Sequence, residues 1–301
     1  MLIPEDMGCK SKRIKFAAMT MQEATYFLLK KLRSIYPESE ASQITDWVME
    51  HLTGSKKTER MFYKNAAITV IEEMQLHQLT DRLMQHEPVQ YVLNEAWFCG
   101  LKLYVDKNIL IPRPETEELV EWIIANCKFP INKLKILDIG SGSGCIAIAL
   151  KRKLRKAEAW SCDISEAALK VAEKNSAELG VDVNFFQLNF LNKEERRKLP
   201  LFDIIVSNPP YVPEKDKNEM RPNVLKYEPA TALFVPDNDA LIFYSAIADF
   251  GKDHLSNNGV IYTEIHESKA AVVTELFKSN GYSTELKKDM QGKERMIKAT
   301  F

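Results

Sequence analysis

An asparagine, two prolines and a tyrosine, Asn208–Tyr211, follow directly on a short apolar run, Asp203–Ser207. The run is rich in β-branched residues and is typical of a strand buried in a parallel sheet. Because proline cannot continue a ladder of strand hydrogen bonds, the chain must leave the sheet in a stiff turn, with Asn208 at the carboxyl end of the strand. Open α/β sheets bind ligands at that end, where the amide offers two donors and an acceptor and Tyr211 a flat face. A lone Asn-Pro-Pro is usually only a turn, but Tyr211 and a glycine loop upstream favour a functional site.

That glycine loop follows another apolar run, Leu134–Ile139, and precedes a helical segment that begins at Cys145. Its residues are Gly140, Ser141, Gly142, Ser143 and Gly144. Glycine lets the backbone approach a ligand, and a helix N-terminus presents free N–H groups. The spacing Gly-x-Gly-x-Gly, with Asp138 two positions before the first glycine, differs from the dinucleotide pattern Gly-x-Gly-x-x-Gly. It favours a ligand without a pyrophosphate, such as S-adenosylmethionine.

Polar and aromatic residues also end the next two predicted strands. Asp163 follows Glu158–Cys162, at a position where a carboxylate can accept both hydroxyls of a ribose. The same residue suits a cap for the helix predicted over Ala167–Leu179, so a structural role remains an alternative. Asn189 and Phe190 end the third predicted strand. The Asn189 oxygen is placed to meet an adenine amino group, and the Phe190 ring to stack on adenine.

A further candidate segment is Ile111-Pro112-Arg113-Pro114-Glu115-Thr116-Glu117, in which two prolines flank an arginine. Pro-x-Pro-Glu is a good helix start, and Glu115 or Thr116 can open the helix predicted over Glu118–Cys127. The stiffness of the same loop can also aim Arg113, Thr116 or Glu117 into a site. Both interpretations stay open at this point.

The amino-acid composition excludes several classes of protein and of binding site. The 41 basic and 42 acidic side chains nearly cancel, which argues against a broad surface for nucleic acids or anionic membranes. The five cysteines are odd in number and lack Cys-x-x-Cys spacing, which fits a reducing, cytoplasmic location and no structural metal. No apolar run approaches the length of a membrane span. Residues 1–19 hold basic side chains but no signal-peptide segment, and they are predicted to form a flexible leader.

After the leader, three segments are predicted: a helical domain, a β-hairpin linker and an α/β domain, at residues 20–88, 89–111 and 112–301. In the linker, Gly100 follows Trp97–Cys99, and after it Leu101, Leu103 and Val105 alternate with Lys102 and Tyr104, as in a hairpin. In the α/β domain, strands alternate with helices, and the last two strands can pair antiparallel. The proline-rich stretch 212–238 shows little periodicity and is predicted to be irregular and functional.

The helical domain begins with a predicted capping box of Thr20 and Glu23. Its last two helices are predicted over Ala67–Met74 and Gln78–Gln85, before Pro88. No catalytic constellation occurs in this domain. It is therefore either a docking module or an appendage that packs against the rest of the chain.

With these residues assembled, the chain resembles the release factor glutamine methyltransferases, the PrmC/HemK family. The similarity runs from about residue 20 to the C-terminus, and its motifs stand in the family's order and spacing: Ile111–Glu117, Asp138–Gly144, Asn208–Tyr211 and Glu228-Pro229. Asn-Pro-Pro-Tyr is shared with nucleic-acid amino methyltransferases, so Pro-Arg-Pro-Glu-Thr-Glu is the more specific sign. The resemblance implies an α/β fold of the class I (Rossmann-like) methyltransferase type, with a seven-stranded mixed sheet, a small helical N-terminal domain and a β-hairpin linker.

The resemblance also implies an activity: methylation, by S-adenosylmethionine, of the side-chain amide of the glutamine in the Gly-Gly-Gln tripeptide of class 1 release factors. It implies a release factor as partner of the helical domain, and neither a membrane nor a nucleic acid.

Catalytic roles fall to Asn208, Pro209, Pro210 and Tyr211. Cofactor-binding roles fall to Gly140, Ser141, Gly142, Ser143, Gly144, Asp163, Asn189, Phe190 and Asn208. Substrate-binding roles fall to Arg113, Glu117 and again Asn208–Tyr211. The chain departs from the family at Asn189, where aspartate is common, and at His266, where glycine is frequent.

Chemistry explains why such a reaction needs these residue types. An amide nitrogen is a poor nucleophile and gains positive charge as it attacks a methyl group, so acceptors should lie on its two hydrogens. The Asn208 oxygen and the Pro209 carbonyl can supply them, the two prolines remove competing backbone donors, and Tyr211 can pack on the flat amide. The main alternative is an adenine or cytosine amino methyltransferase of nucleic acids, against which the balanced charge counts. A third is a binding module that only retains the fold.

Overall fold

A computed structural model describes residues 18–127 and 134–301. These residues fall into two compact units, one up to Val89 and one from Gln90 to Phe301. The predicted leader lies outside the described residues except for its last two positions. Among the described residues, no helix has the length and apolar character that crossing a bilayer requires.

Among the described residues, the first unit contains four helices: α1 Met21–Leu32, α2 Glu38–Thr53, α3 Lys57–Phe62 and α4 Val70–Leu83. The capping box is confirmed, since the Thr20 hydroxyl accepts from the Glu23 N–H and the Glu23 carboxylate accepts from the Thr20 N–H. The prediction of two helices over 67–85 is wrong. A second capping box, made by Thr69 and Glu72, starts one continuous helix in their place.

The second unit begins with a short helix and a hairpin, α5 Val89–Leu93, β1 Glu95–Phe98 and β2 Leu101–Tyr104. The two strands pair antiparallel with Phe98 opposite Leu101. The turn residues Cys99 and Gly100 both have positive φ angles, 49° and 73°, as the tight turns of two-residue hairpins require. The first five residues of the predicted linker are thus helical, and the strand pairing is confined to its middle.

The remainder of the unit alternates strands with helices, in the order α6 Pro114–Asn126, β3 Lys135–Ile139, α7 Cys145–Lys153, β4 Glu158–Asp163, α8 Glu166–Leu179, β5 Asn184–Gln187, α9 Lys193–Arg196, β6 Phe202–Ser207, β7 Val212–Pro213, α10 Pro222–Tyr227, β8 Phe234–Val235, α11 Ile242–His254, β9 Leu255–Glu264, α12 Ala270–Ser279, β10 Ser283–Lys288 and β11 Glu294–Thr300. The stretch 212–238 is more regular than predicted. It contains a two-strand pair, β7 with β8, the helix α10 and two short 3₁₀ turns.

Seven of these strands form one mixed sheet in the order β10-β11-β9-β6-β3-β4-β5. The pairs made by β3, β4, β5, β6 and β9 with one another are parallel, whereas β11 runs antiparallel to both of its neighbours. Because Ile139 pairs with both Cys162 and Ser207, the loops that follow β3, β4 and β6 leave the sheet side by side. The predicted fold class is confirmed, and its register brings the candidate residues to one edge.

Alternation along the strands fills both faces of the sheet. Leu137, Ile205 and Ile261 belong to a core shared with α11 and α12, while Ile136 and Ile204 belong to the opposite core, shared with α6 and α7. Successive side chains of a strand point to opposite faces, so continuous apolar runs of this kind are what a sheet covered on both faces needs. The sheet is therefore a rigid base for the loops at its edge.

Candidate active site

A cavity opens at the carboxyl ends of β3, β4, β5 and β6. Its walls include eleven of the residues singled out in the sequence as cofactor, catalytic or substrate residues: Arg113, Gly140, Ser141, Gly142, Ser143, Asp163, Asn189, Phe190, Asn208, Pro209 and Pro210. Gly144, Tyr211 and Glu117 do not line it. Since these eleven residues come from five separate segments, the cavity is a product of the sheet register.

The glycine loop wraps the end of β3 with left-handed backbone at Gly140 and Gly142, whose φ angles are 88° and 51°. A Cβ atom at either position would meet no protein atom within 4 Å, so it is the backbone conformation that requires glycine there. Gly144 has a different role from the one predicted. A Cβ on it would lie 3.0 Å from Ile148 and 3.1 Å from Ala172, so this glycine lets α7 and α8 approach each other.

Buried polar side chains bind the glycine loop on the side that faces the protein interior. Asp138 is fully buried and accepts a hydrogen bond from Ser161 at 2.9 Å, which leaves Ser141 to donate to the Ser161 oxygen at 2.7 Å. Burial raises the pKa of Asp138 to about 8. On the other side, fully buried Asn175 donates to the Ser143 carbonyl at 2.9 Å and exchanges two hydrogen bonds with the backbone of Tyr104 in β2. Asn175 was not singled out in the sequence, because nothing local marks a mid-helix asparagine as a loop contact.

Asp163 makes two contacts with backbone N–H groups, which support its structural interpretation, and its contact with a ribose stays a prediction. One oxygen accepts from the N–H of Ser165 at 2.9 Å, and the other accepts from the N–H of Gly142 at 3.0 Å. Ser165 itself is the N-cap of α8. Because a carboxylate has about four acceptor positions, roughly two stay available toward the cavity after these bonds.

The structure alters the roles predicted for Asn189 and Phe190. The Asn189 oxygen accepts from the N–H of Leu191 at 3.1 Å, so one of its two acceptor positions already serves the loop. Phe190 is only 5% exposed and packs edge-to-face on Phe250, with ring centroids 5.2 Å apart. The geometry does not support stacking of the Phe190 ring on adenine, since most of the ring belongs to the core beneath α11.

A hydrogen-bonded relay lies behind Asn208. Its amide nitrogen donates to the Thr116 hydroxyl at 3.0 Å, and that hydroxyl donates to Glu264 at 2.6 Å. The Tyr211 hydroxyl donates to the other Glu264 oxygen at 3.4 Å. Within the described residues, no hydrogen bond engages the Asn208 oxygen, which is left as the acceptor at the cavity wall.

Thr116 and Glu264, the two residues behind Asn208, are buried. Glu264 is 3% exposed, and burial raises the pKa of its carboxyl group to about 7. Burial, followed by the neighbouring Glu264 charge, raises the pKa of Tyr211. The prediction that Tyr211 offers a flat face to a ligand is therefore not supported by this arrangement, in which its hydroxyl faces the core and its ring lies 5.7 Å from His266.

The helix start expected near Glu115 comes at Pro114 and presents Thr116 to the relay. Successive residues of a helix lie about 100° apart around its axis, so Glu117 turns away from the cavity. Glu117 lines a separate depression with Glu118, Glu121 and the chain at 287–290, and its predicted contact with substrate is not reproduced. Arg113 does border the cavity, but its guanidinium is paired with Glu228.

Glu264 is the main residue that the sequence interpretation missed. A usable signal existed, because it lies at the carboxyl end of a predicted strand, as Asn208 does.

Among the described residues, no group of three or more histidine, cysteine or acidic side chains is arranged to hold a metal ion.

Comparison with known proteins places the chain in a family. The family model described as "PrmC N-terminal domain" matches residues 23–93, and the one described as "Methyltransferase small domain" matches residues 116–231. A release factor glutamine methyltransferase of Flavobacterium psychrophilum is 44% identical over 273 residues, which are 90% of this chain and 95% of the relative. One of Bacteroides thetaiotaomicron is 38% identical over 280 residues, 93% of this chain and 99% of the relative.

Among solved structures, the hMettl16 catalytic domain, crystallised with an RNA hairpin, superposes with a TM-score of 0.51 and covers 77% of this chain and 82% of that chain. Its sequence is only 14% identical, so the likeness concerns the fold alone.

Proposed function

The chain belongs to the release factor glutamine methyltransferase family, and we propose that it methylates the side-chain amide nitrogen of the glutamine in the Gly-Gly-Gln motif of class 1 peptide chain release factors, with S-adenosylmethionine as the methyl donor. One observation carries the proposal. The Asn208 amide is held by its nitrogen, at 3.0 Å from Thr116, so its oxygen is presented to the cavity as an acceptor. An acceptor at this place suits an N–H group of the substrate.

The residues that line the cavity suit S-adenosylmethionine as the methyl donor. Gly140 and Gly142 leave open space where a Cβ atom would stand, which gives a ligand close access to the backbone of the loop. Asp163 keeps acceptor positions for ribose hydroxyls, and Asn189 lines the cavity, where its second acceptor position suits an adenine amino group. When bound, S-adenosylmethionine supplies an electrophilic methyl group on a sulfonium.

The substrate amide must reach the methyl group with its nitrogen in line and its hydrogens accepted. The Asn208 oxygen accepts one N–H, and the backbone carbonyl of Pro209 accepts the other. Both acceptors become more favourable as positive charge develops on the nitrogen, so they lower the barrier rather than only strengthening binding. Pro210 brings no backbone N–H that would repel the substrate. Tyr211 acts behind the site through Glu264, and no strong base is needed before methyl transfer.

A nucleic-acid amino methyltransferase would use the same Asn-Pro-Pro-Tyr logic. Such an enzyme needs a basic groove, and the chain carries a net charge of only -1. Curated relatives with nearly full coverage favour the protein substrate. A release factor substrate implies that the protein works in the cytoplasm, and neither a nucleic acid nor a membrane is a partner in this proposal.

The test is transfer of a labelled methyl group from S-adenosylmethionine to a purified class 1 release factor, with tRNA, rRNA and DNA offered in parallel reactions. We expect label on the release factor alone, and none on a release factor whose Gly-Gly-Gln glutamine is replaced by alanine. Label on any nucleic acid, or equal label on the two release factors, contradicts the proposal.

We propose in addition that the helical unit, which ends at Val89, docks the release factor. The support is its match to the PrmC N-terminal domain and the location of every lining residue of the cavity in the second unit. Deleting residues 1–88 should leave binding of S-adenosylhomocysteine nearly intact, reduce methylation of intact release factor strongly, and affect a short Gly-Gly-Gln peptide much less. Equal losses on protein and peptide contradict a docking role.

A further inference from the structure

We propose that Glu264 is a positioning residue that, through the hydroxyl of Thr116, sets which end of the Asn208 amide faces the cavity. Glu264 lies at the end of β9 and reaches Asn208 through the Thr116 hydroxyl, while the Tyr211 hydroxyl, from the same loop as Asn208, donates to its other oxygen. The inference rests on the proposed methylation of a glutamine amide, since it concerns the acceptor that this amide needs.

The positions of the protons fix the directions of these hydrogen bonds. An ionised carboxylate can only accept hydrogen bonds, so the hydroxyl proton of Thr116 must point to Glu264, at 2.6 Å. The Thr116 oxygen then has only lone pairs left for Asn208, which must turn its nitrogen toward Thr116, at 3.0 Å. The Asn208 oxygen is thereby forced toward the cavity. The charge on Glu264 thus determines which end of the Asn208 amide faces the cavity.

Several groups face Glu264 and decide how easily it takes up a proton. Glu115 approaches from α6, Arg295 from β11 and Tyr211 from the loop after β6. Tyr244 of α11 donates to the backbone carbonyl of Glu264 at 3.1 Å. Burial opposes the charge most strongly and the Thr116 hydrogen bond favours it, and the resulting pKa is about 7. Protonation of Glu264 is therefore accessible under conditions in which the rest of the protein is folded.

Protonation allows the relay to reverse. A neutral Glu264 can donate to the Thr116 oxygen, and Thr116 can then donate to the Asn208 oxygen. The amide turns over, and its N–H₂ group faces the cavity, where it opposes the N–H groups of a glutamine amide. We expect kcat to fall about tenfold per pH unit below the pKa of Glu264, while the KM for the release factor changes little, because the contact matters mainly in the transition state.

Glu264→Gln is the discriminating variant. A glutamine at this position does not titrate, and its oxygen still accepts from Thr116 while its nitrogen faces the Tyr211 oxygen. We expect this variant to keep kcat within about tenfold of the wild-type value at pH 8 and to lose the acid limb of the pH profile. A merely structural role for Glu264 would leave the acid limb in place.

Thr116 supplies an independent test that does not depend on how well Glu264→Gln folds. Thr116→Val keeps the shape and removes the hydroxyl, so it should lower kcat by about 10²-fold without a matching change in KM. Thr116→Ser keeps the hydroxyl and should stay within a few-fold of wild type. Thermal unfolding of each variant controls for folding.

Both measurements use the full-length protein with saturating S-adenosylmethionine and release factor. The inference is overturned if the acid limb persists in Glu264→Gln or is absent from the wild-type protein. A wild-type kcat in Thr116→Val also overturns it. If wild-type protein methylates no release factor at any pH, it is the proposed function that fails and the inference falls with it. These two failures are told apart by the wild-type rate alone.

Discussion

Arg113 donates to both carboxylate oxygens of Glu228, at 2.6 and 2.8 Å, and joins the loop before α6 to the end of α10 across 115 positions of the chain. The two partners differ in exposure, since the Arg113 side chain is 35% exposed and that of Glu228 is 2% exposed. The N–H of Ile111 also donates to Glu228, at 3.4 Å. Both segments border the cavity, so this pair holds two of its walls together.

The unequal burial predicts unequal effects of removing each partner. Arg113→Met strands a buried carboxylate and should lower the free energy of unfolding by about 3–5 kcal/mol. Glu228→Gln leaves a cation that water can reach and should cost only about 1–2 kcal/mol. Urea unfolding of both single variants and of the double variant measures this. If Glu228→Gln is as destabilising as Arg113→Met, burial of the carboxylate is not what makes the pair important.

Asn208 should be essential for turnover and dispensable for folding. Asn208→Ala removes one preorganised acceptor and should lower kcat by about 10²–10³-fold, with unchanged binding of S-adenosylhomocysteine. Asn208→Asp should be as inactive as alanine, because a carboxylate cannot donate to Thr116 and sets a second negative charge near Glu264. Single-turnover rates with bound release factor decide this. Substantial activity in Asn208→Asp means that only the acceptor matters, and a wild-type rate in Asn208→Ala removes the site assignment.

Asp163→Ala should weaken binding of S-adenosylhomocysteine by about 1.5–3 kcal/mol, as the loss of hydrogen bonds to a charged group does. Asp203→Ala is the matched control. Asp203 also accepts two hydrogen bonds, from the Lys135 N–H and the Ser256 hydroxyl, but it lies at the opposite end of β6 from Asn208. Calorimetric titration should therefore show weaker binding in Asp163→Ala alone. Equal effects of the two substitutions would assign Asp163 to structure only.

Replacement of Glu264 should stabilise the protein at alkaline pH. Burial raises the pKa of this carboxyl from 4.5 to about 7, so the folded state holds its proton where the unfolded state has released it. The resulting cost is absent below the unfolded pKa, grows as the pH rises between the two values, and is constant above the folded pKa. Glu264→Gln should thus equal wild type near pH 4.5 and exceed it by on the order of 3 kcal/mol at pH 8.

Urea unfolding at several pH values measures that difference. Asp138, whose pKa burial raises to about 8, contributes the same pH dependence to both proteins and cancels in the comparison. A difference that does not vary with pH would mean that Glu264 is not the titrating group. A variant that gains stability while it loses the acid limb of activity would be an example of an active-site charge maintained at the expense of folding.

Much of the candidate site could be predicted from the sequence, because it depends on the conformational preferences of individual residues. Proline cannot extend a strand and glycine alone takes left-handed backbone readily, so Asn208 at a strand end and the loop Gly140–Gly144 follow from residue types a few positions apart. Most of the seven strands follow from apolar runs separated by helical periodicity, whereas β10, Ser283–Lys288, is largely polar. The same local reasoning misread Ala67–Gln85, where a capping box at Thr69 starts one helix, because periodicity alone does not mark where a helix begins.

What the sequence by itself determined is which loops end at the binding edge of the sheet and which residue types they carry. Only the tertiary structure decided how those side chains are used. Thr116 and Glu264 are 148 positions apart, and Thr116 and Asn208 are 92 apart, yet they share one chain of hydrogen bonds. The same packing turned Tyr211 toward Glu264 and Glu117 away from the cavity. The physical reason is that sheet register and helix rotation set side-chain direction, and both depend on contacts between elements far apart in the chain.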